Sequence, residues 1–146
     1  MKRLAAALFA AVVAACSAGG PATASRDIRI PKNDVSASAT FYPYKSGDIT
    51  GEVLALRAPD GTIRTAFNTC QVCYASGRGY YVQQGDMLVC QNCGNRFRAS
   101  QVELIRGGCN PIPITGEDKR DDGDSIAIPR AVLDKAAPIF VGWKKR

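Results

Sequence analysis

Four cysteines stand in two C-x-x-C pairs, Cys70 with Cys73 (CQVC) and Cys90 with Cys93 (CQNC), in a chain of 146 residues that contains no histidine. A C-x-x-C turn presents two sulfurs on one side of a tight knuckle. Two knuckles brought face to face give the tetrahedral four-thiolate set that suits zinc or iron. The sixteen residues between Cys73 and Cys90 (YASGRGYYVQQGDMLV) fall within the spacing of paired-knuckle sites and read as a short hairpin. The chain lacks a P-loop, a G-x-G-x-x-G and a G-x-S-x-G motif, and without histidine it lacks Ser-His and Cys-His pairs and most hydrolytic zinc sites. A metal-binding or redox protein is expected, rather than a hydrolase or transferase.

Strands must hold the knuckles. Ala39 to Tyr44 (ATFYPY) and Ile49 to Arg57 (ITGEVLALR) have β-branched and aromatic content in alternation, with Leu54 and Leu56 on one face. Ala58-Pro59-Asp60-Gly61 is a turn, and Thr62 to Asn68 returns as a strand with Ile63, Thr65 and Phe67 on one side, delivering the chain to Cys70. Tyr80 to Val82 and Met87 to Val89 flank a Gln84-Gly85-Asp86 turn and lead into Cys90. Gly94 after the second knuckle suits a positive φ, and its amide is placed to donate to a cysteine sulfur. Ala99 to Leu104 reads as a strand or one helical turn, and Gly107-Gly108-Cys109-Asn110-Pro111 as a tight turn with an apolar exit. Gly116 to Asp124 (GEDKRDDGD) is a charged loop. It is a poor calcium loop, because Arg120 falls where an oxygen ligand is required. Ser125 to Ile128 is a strand, Pro129 opens a helix through Arg130 to Ala137, and Ile139 to Trp143 close the body as an apolar strand or strap. The fold class is therefore α+β and β-rich: one small domain of hairpins around two knuckles with a C-terminal strand-helix.

The amino terminus reads as an export signal. Lys2 and Arg3 precede an apolar run, Leu4 to Ala15, too short to span a bilayer. Val13-Ala14-Ala15-Cys16 resembles a lipobox, which would make Cys16 the lipidated first residue of the mature protein. The competing reading is cleavage after Ala22-Thr23-Ala24, which would release a soluble periplasmic protein. This divides the chain into a signal over residues 1–16 (or 1–24), a flexible Gly-, Pro- and Ser-rich linker over 17–35, a metal-thiolate domain over 36–142 and a basic tail over 143–146. The formal charge is +6, and +4 without Lys2 and Arg3. Export argues against nucleic acid as the partner and reduces the charge to a solvated surface. Once Cys16 is lipidated five cysteines remain, so a four-ligand site or a disulfide framework leaves one over, Cys109 in GGCNP.

Taken together, IRTAFNTCQVCY, GRGYYVQQGDMLVCQNCGNRF and GGCNP over Ile63 to Pro111 resemble the family of membrane iron-sulfur proteins described as FtrD-like, with similarity over roughly residues 36 to 142. The resemblance implies an iron-sulfur or related metal centre, membrane association and a part in periplasmic iron uptake or electron transfer. Carried over by position, the metal ligands are Cys70, Cys73, Cys90 and Cys93, with Cys109 a candidate fifth or substitute ligand. Many members of that family hold the domain on transmembrane helices, whereas this chain shows an export signal and no spanning segment, so the expected anchor is the lipid at Cys16.

Three readings of the sulfurs stay open at this level. An iron-sulfur cluster or mononuclear iron would serve electron transfer or iron handling. Zinc would instead close the knuckles of a zinc-ribbon-like module in a periplasmic lipoprotein. A thiol-disulfide protein would use the pairs as dithiols, although that chemistry favours a cysteine at a helix start. Without a twin arginine the chain is expected to cross the membrane unfolded, so a cluster would be assembled outside, which favours zinc or a single iron.

Overall fold

The computed structural model describes residues 26–145; the signal segment and Cys16 lie outside them. Ten strands run in chain order as β1 (Ile28–Pro31), β2 (Thr40–Ser46), β3 (Ile49–Arg57), β4 (Ile63–Cys70), β5 (Tyr81–Gln84), β6 (Met87–Cys90), β7 (Arg96–Arg98), β8 (Pro111–Ile114), β9 (Arg120–Asp121) and β10 (Ser125–Ile128). One short helix, α1 (Arg130–Ala136), follows.

The central sheet has the antiparallel order β2-β3-β4-β8 and is covered on both faces. That is why Gly51 to Leu56 of β3 are buried without interruption: an alternating strand in a two-sided sheet has no face left for water. One face carries Val53, Ala55, Phe67 and Ile114 and packs against Ile28 and Ile30 of β1, Ile126 and Ile128 of β10, Leu133 of α1 and Phe140. At its centre Phe140 meets Tyr44 edge-on at 5.8 Å and Phe67 at 6.1 Å between ring centroids, the geometry that aromatic quadrupoles favour. The other face carries Leu54, Leu56, Ala66 and Cys70 and packs against Tyr81, Leu88, Cys90 and Phe97 of the small β5-β6-β7 sheet. Cys70 and Cys90 thus sit within the second core, between two sheets.

Several expectations are refined. The segment 17–35 is not linker to its end: Ile28–Pro31 pairs with β10 in antiparallel register, and Ile30 is fully buried. Isoleucine at alternate positions, Ile28 and Ile30, is a strand signal that the surrounding polar residues obscured. After Phe97 the chain takes a single 3-10 turn, Ala99–Gln101. The charged loop contains the two-residue strand β9, paired with β10. Pro129 is the N-cap of α1 rather than its first helical residue. Ile139 and Phe140 lie in a 3-10 turn, Ala137–Phe140, not a strand. The basic tail is docked: the Lys144 amide donates to the Gly77 carbonyl at 2.8 Å, and Lys145 pairs with Glu52 while its Nζ lies 3.8 Å from the centroid of the Phe41 ring.

Candidate metal centre

β4 delivers the first knuckle with an irregular ladder. Phe67 pairs with Ile112 of β8, but the next partner of Pro111 is Cys70, so Asn68 and Thr69 form a bulge. The ladder then continues one step, with the Gln71 amide donating to the Asn110 carbonyl at 3.0 Å. Cys109 is thereby carried beside the first knuckle. β6 delivers the second: the Cys90 amide donates to the Asn95 carbonyl at 2.9 Å and the Gln91 amide to the Tyr80 carbonyl at 2.8 Å. Gly94 holds the expected left-handed conformation at φ 73°. Its amide, however, donates to the Cys90 carbonyl rather than to a sulfur, because the turn closes on its own backbone first.

Asn68 joins the two sheets. It is fully buried, and its side-chain oxygen accepts from the Tyr81 amide at 2.8 Å while its Nδ2 donates to the Tyr81 carbonyl at 3.4 Å and to Glu52 Oε1 at 2.7 Å. One amide side chain stands in for a strand's backbone and fixes the height of Tyr81. The Tyr81 hydroxyl in turn donates to the Cys109 carbonyl at 2.8 Å, and Asn95 Nδ2 donates to that oxygen at 2.9 Å.

The sulfurs form two overlapping groups. Cys70, Cys73 and Cys109 lie with their Sγ atoms mutually within 4.8 Å, and so do Cys73, Cys90 and Cys93. Cys73 belongs to both. All five are free thiols: Cys70 and Cys90 are buried, Cys73 and Cys109 half-buried, and Cys93 exposed. The cluster therefore has a closed side in the core and an open side at the surface.

Their acidities reflect this placement. Burial raises the Cys70 thiol, but the Tyr81 hydroxyl and the amides of Cys73 and Val72 reverse the balance and leave it below the ordinary thiol value. Burial pushes Cys90 up to about 12. The Asn95 amide holds Cys93 down, and hydrogen bonding with Cys93 is the first cause that takes Cys109 up to about 12. Asn92 favours the Cys73 thiolate, but burial and the neighbouring Cys93 and Cys70 outweigh it and the net direction is up. Burial, then Cys70, keeps Tyr81 protonated far above the normal range, so it remains a donor. Five thiols packed this closely resist ionising together, and a bound cation removes that resistance.

The segments that carry the cysteines are basic in sequence. The stretches 69–80, 87–98 and 104–115 hold Arg78, Arg96, Arg98 and Arg106 and no aspartate or glutamate, which suits an anionic metal-thiolate centre. Neither C-x-x-C pair opens an α-helix among the described residues, since both follow strands, so the dipole that activates a redox dithiol is missing here.

The structure brings all five sequence-predicted cysteines of the domain together. Cys16 lies outside the described residues. Sequence reasoning missed Asn68, Glu52, Tyr81, Asn92 and Asn95; Asn68, two residues before Cys70 on the face that leads to it, carried the one readable signal. Among the described residues no helix is long and apolar enough to cross a membrane. In comparisons with known proteins, the family described as membrane iron-sulfur containing protein FtrD-like matches residues 32–140, a span that includes the five clustered cysteines. No curated protein matches the chain.

Proposed function

We propose a function for this chain on the premise that it belongs to the FtrD-like family of membrane iron-sulfur proteins, whose match covers most of its length. The donor set fits an iron group: it is sulfur only, backed by knuckle amides such as the Cys73 N–H, 3.4 Å from Cys70 Sγ, the interactions that tune such a centre. An iron or iron-sulfur group held there would supply one-electron chemistry. In this reading Cys70 and Cys90 hold it from the core, Cys73 and Cys93 from the knuckle exits, and Cys109 stands as a candidate further ligand. The protein is exported, is held to the membrane by lipid on Cys16, and works in electron transfer or iron handling for a periplasmic iron-uptake system. The observation that carries this is the exposure of Cys93 beside buried Cys70 and Cys90, because a carrier must be shielded from water yet reach its partner near the surface.

Zinc has one observation in its favour. At a metal-sulfur distance of about 2.3 Å, two sulfurs on one tetrahedral ion stand about 3.8 Å apart, and the groups observed here, within 4.8 Å, are close to that. Elemental and acid-labile sulfide analysis of the anaerobically purified protein, with its visible spectrum, separates the readings. Iron with sulfide and broad charge-transfer absorption is expected; iron without sulfide means a mononuclear site. A colourless zinc protein would sink the electron-transfer reading. An amino terminus at Ser25 instead of a modified Cys16 would end the lipid anchor.

A further inference from the structure

From the way the five sulfurs divide, we infer that the centre takes two soft metal ions, one in each three-sulfur group, with Cys73 bridging them and Cys109 an obligatory ligand of the first. This deepens the metal-thiolate reading above and rests on it. Two groups of three thiolates, each mutually within 4.8 Å and sharing Cys73, with Cys109 of the first also beside Cys93 of the second, form a five-thiolate binuclear arrangement. A single tetrahedral ion would use four of the sulfurs and leave the fifth idle.

Charge points the same way. Two divalent ions on five thiolates carry a net charge of −1, whereas one divalent ion carries −2 on four thiolates and −3 if the fifth also ionises. In a partly dry site a lower net charge costs less to bury. The backbone fixes Cys109 for this role. Its carbonyl is held by both the Tyr81 hydroxyl and Asn95 Nδ2, and Gln71 ties the loop before it through Oε1, which accepts from the Gly107 amide at 2.9 Å. A thiol with no ligand function has no need of three tethers. Sulfur donors select soft ions, so thiophilic divalent ions are the ligand class.

The full chain, stripped of metal under anaerobic reducing conditions, is loaded with cadmium as the probe and weighed by native mass spectrometry. Two ions per chain at saturation are expected, with two cadmium resonances by NMR. Cys109→Ser and Cys93→Ser should each retain one ion. Cys73→Ser should weaken both, because the bridge is lost, and far-ultraviolet circular dichroism checks that each variant is folded. Saturation of the wild type at one ion overturns the binuclear reading, as does a Cys109→Ser variant that still takes two. A Cys73→Ser variant that behaves like Cys93→Ser overturns the bridge. These outcomes do not depend on the metal present in the isolated protein: zinc without iron would defeat the electron-transfer function and leave the cadmium count standing.

Discussion

Removing the Asn68 side chain is the sharpest test of how the centre is held. In Asn68→Ala the Tyr81 amide loses its acceptor at 2.8 Å and Glu52 loses a donor at 2.7 Å, both in the buried second core. A buried amide left unpaired costs about 1–3 kcal/mol, and a hydrogen bond to a charged group contributes about 1.5–3 kcal/mol. The weaker contact at 3.4 Å to the Tyr81 carbonyl adds little. Lys145 remains to neutralise Glu52, so the loss should be about 4 kcal/mol rather than the sum of the upper limits. For a domain of this size that lowers Tm by about 15 °C. Thermal and urea unfolding measure it, and cadmium binding should weaken in parallel because Tyr81 no longer fixes the Cys109 carbonyl. Asn68→Asp supplies a control with the opposite chemistry. It keeps an acceptor for Tyr81 but sets a second carboxylate against Glu52, so it should be unstable at neutral pH and recover part of its stability as acid protonates the introduced carboxylate. A Tm loss below about 4 °C in Asn68→Ala, or a stable Asn68→Asp at neutral pH, would refute the claim that this amide joins the sheets.

Two other outcomes follow from the same structure. Gly77 combines φ 71° with a position where an added Cβ would land on the Gly142 carbonyl, whereas Gly116 has open space around it; Gly77→Ala should cost more than about 2 kcal/mol and release the C-terminal strap to proteolysis, while Gly116→Ala should stay within about 0.5 kcal/mol, both read by chemical denaturation. Asp27 is held below its ordinary value of 3.8, first by the Arg130 amide and then by Arg120, and Asp60, Asp121 and Asp134 are lowered by their own partners. A depressed carboxylate stabilises the fold fully above its unfolded value and less as pH falls through its folded value, so Tm should hold near pH 5 and decline below about pH 4, with a shallower decline in Asp27→Asn.

The parts of this protein that were legible in its sequence are those where pattern and element coincide locally. Ile49–Arg57 and Ser125–Ile128 were readable to the residue, because period-two alternation and turn chemistry at Asp60-Gly61 and Pro129 are local signals. The hairpin that carries the second knuckle was readable for the same reason. Its partners were not. β1 lay hidden in a polar stretch because two isoleucines are too short a pattern, and their burial depends on β10, almost a hundred residues away. The docked C-terminal strap was likewise invisible, since Lys145 has meaning only once Glu52 and Phe41 lie beneath it.

The centre divides in the same way. Sequence alone determined that two C-x-x-C pairs face chemistry that only a thiophilic metal or a redox dithiol satisfies, since ligand spacing within a knuckle is a property of four consecutive residues. Only the tertiary structure decided that Cys109 joins them and that Cys73 lies at the middle of the set. Cys109 arrives through a bulge in β4 and a strand pairing across forty residues, and contacts set by such long-range packing leave no periodic trace in the chain that makes them.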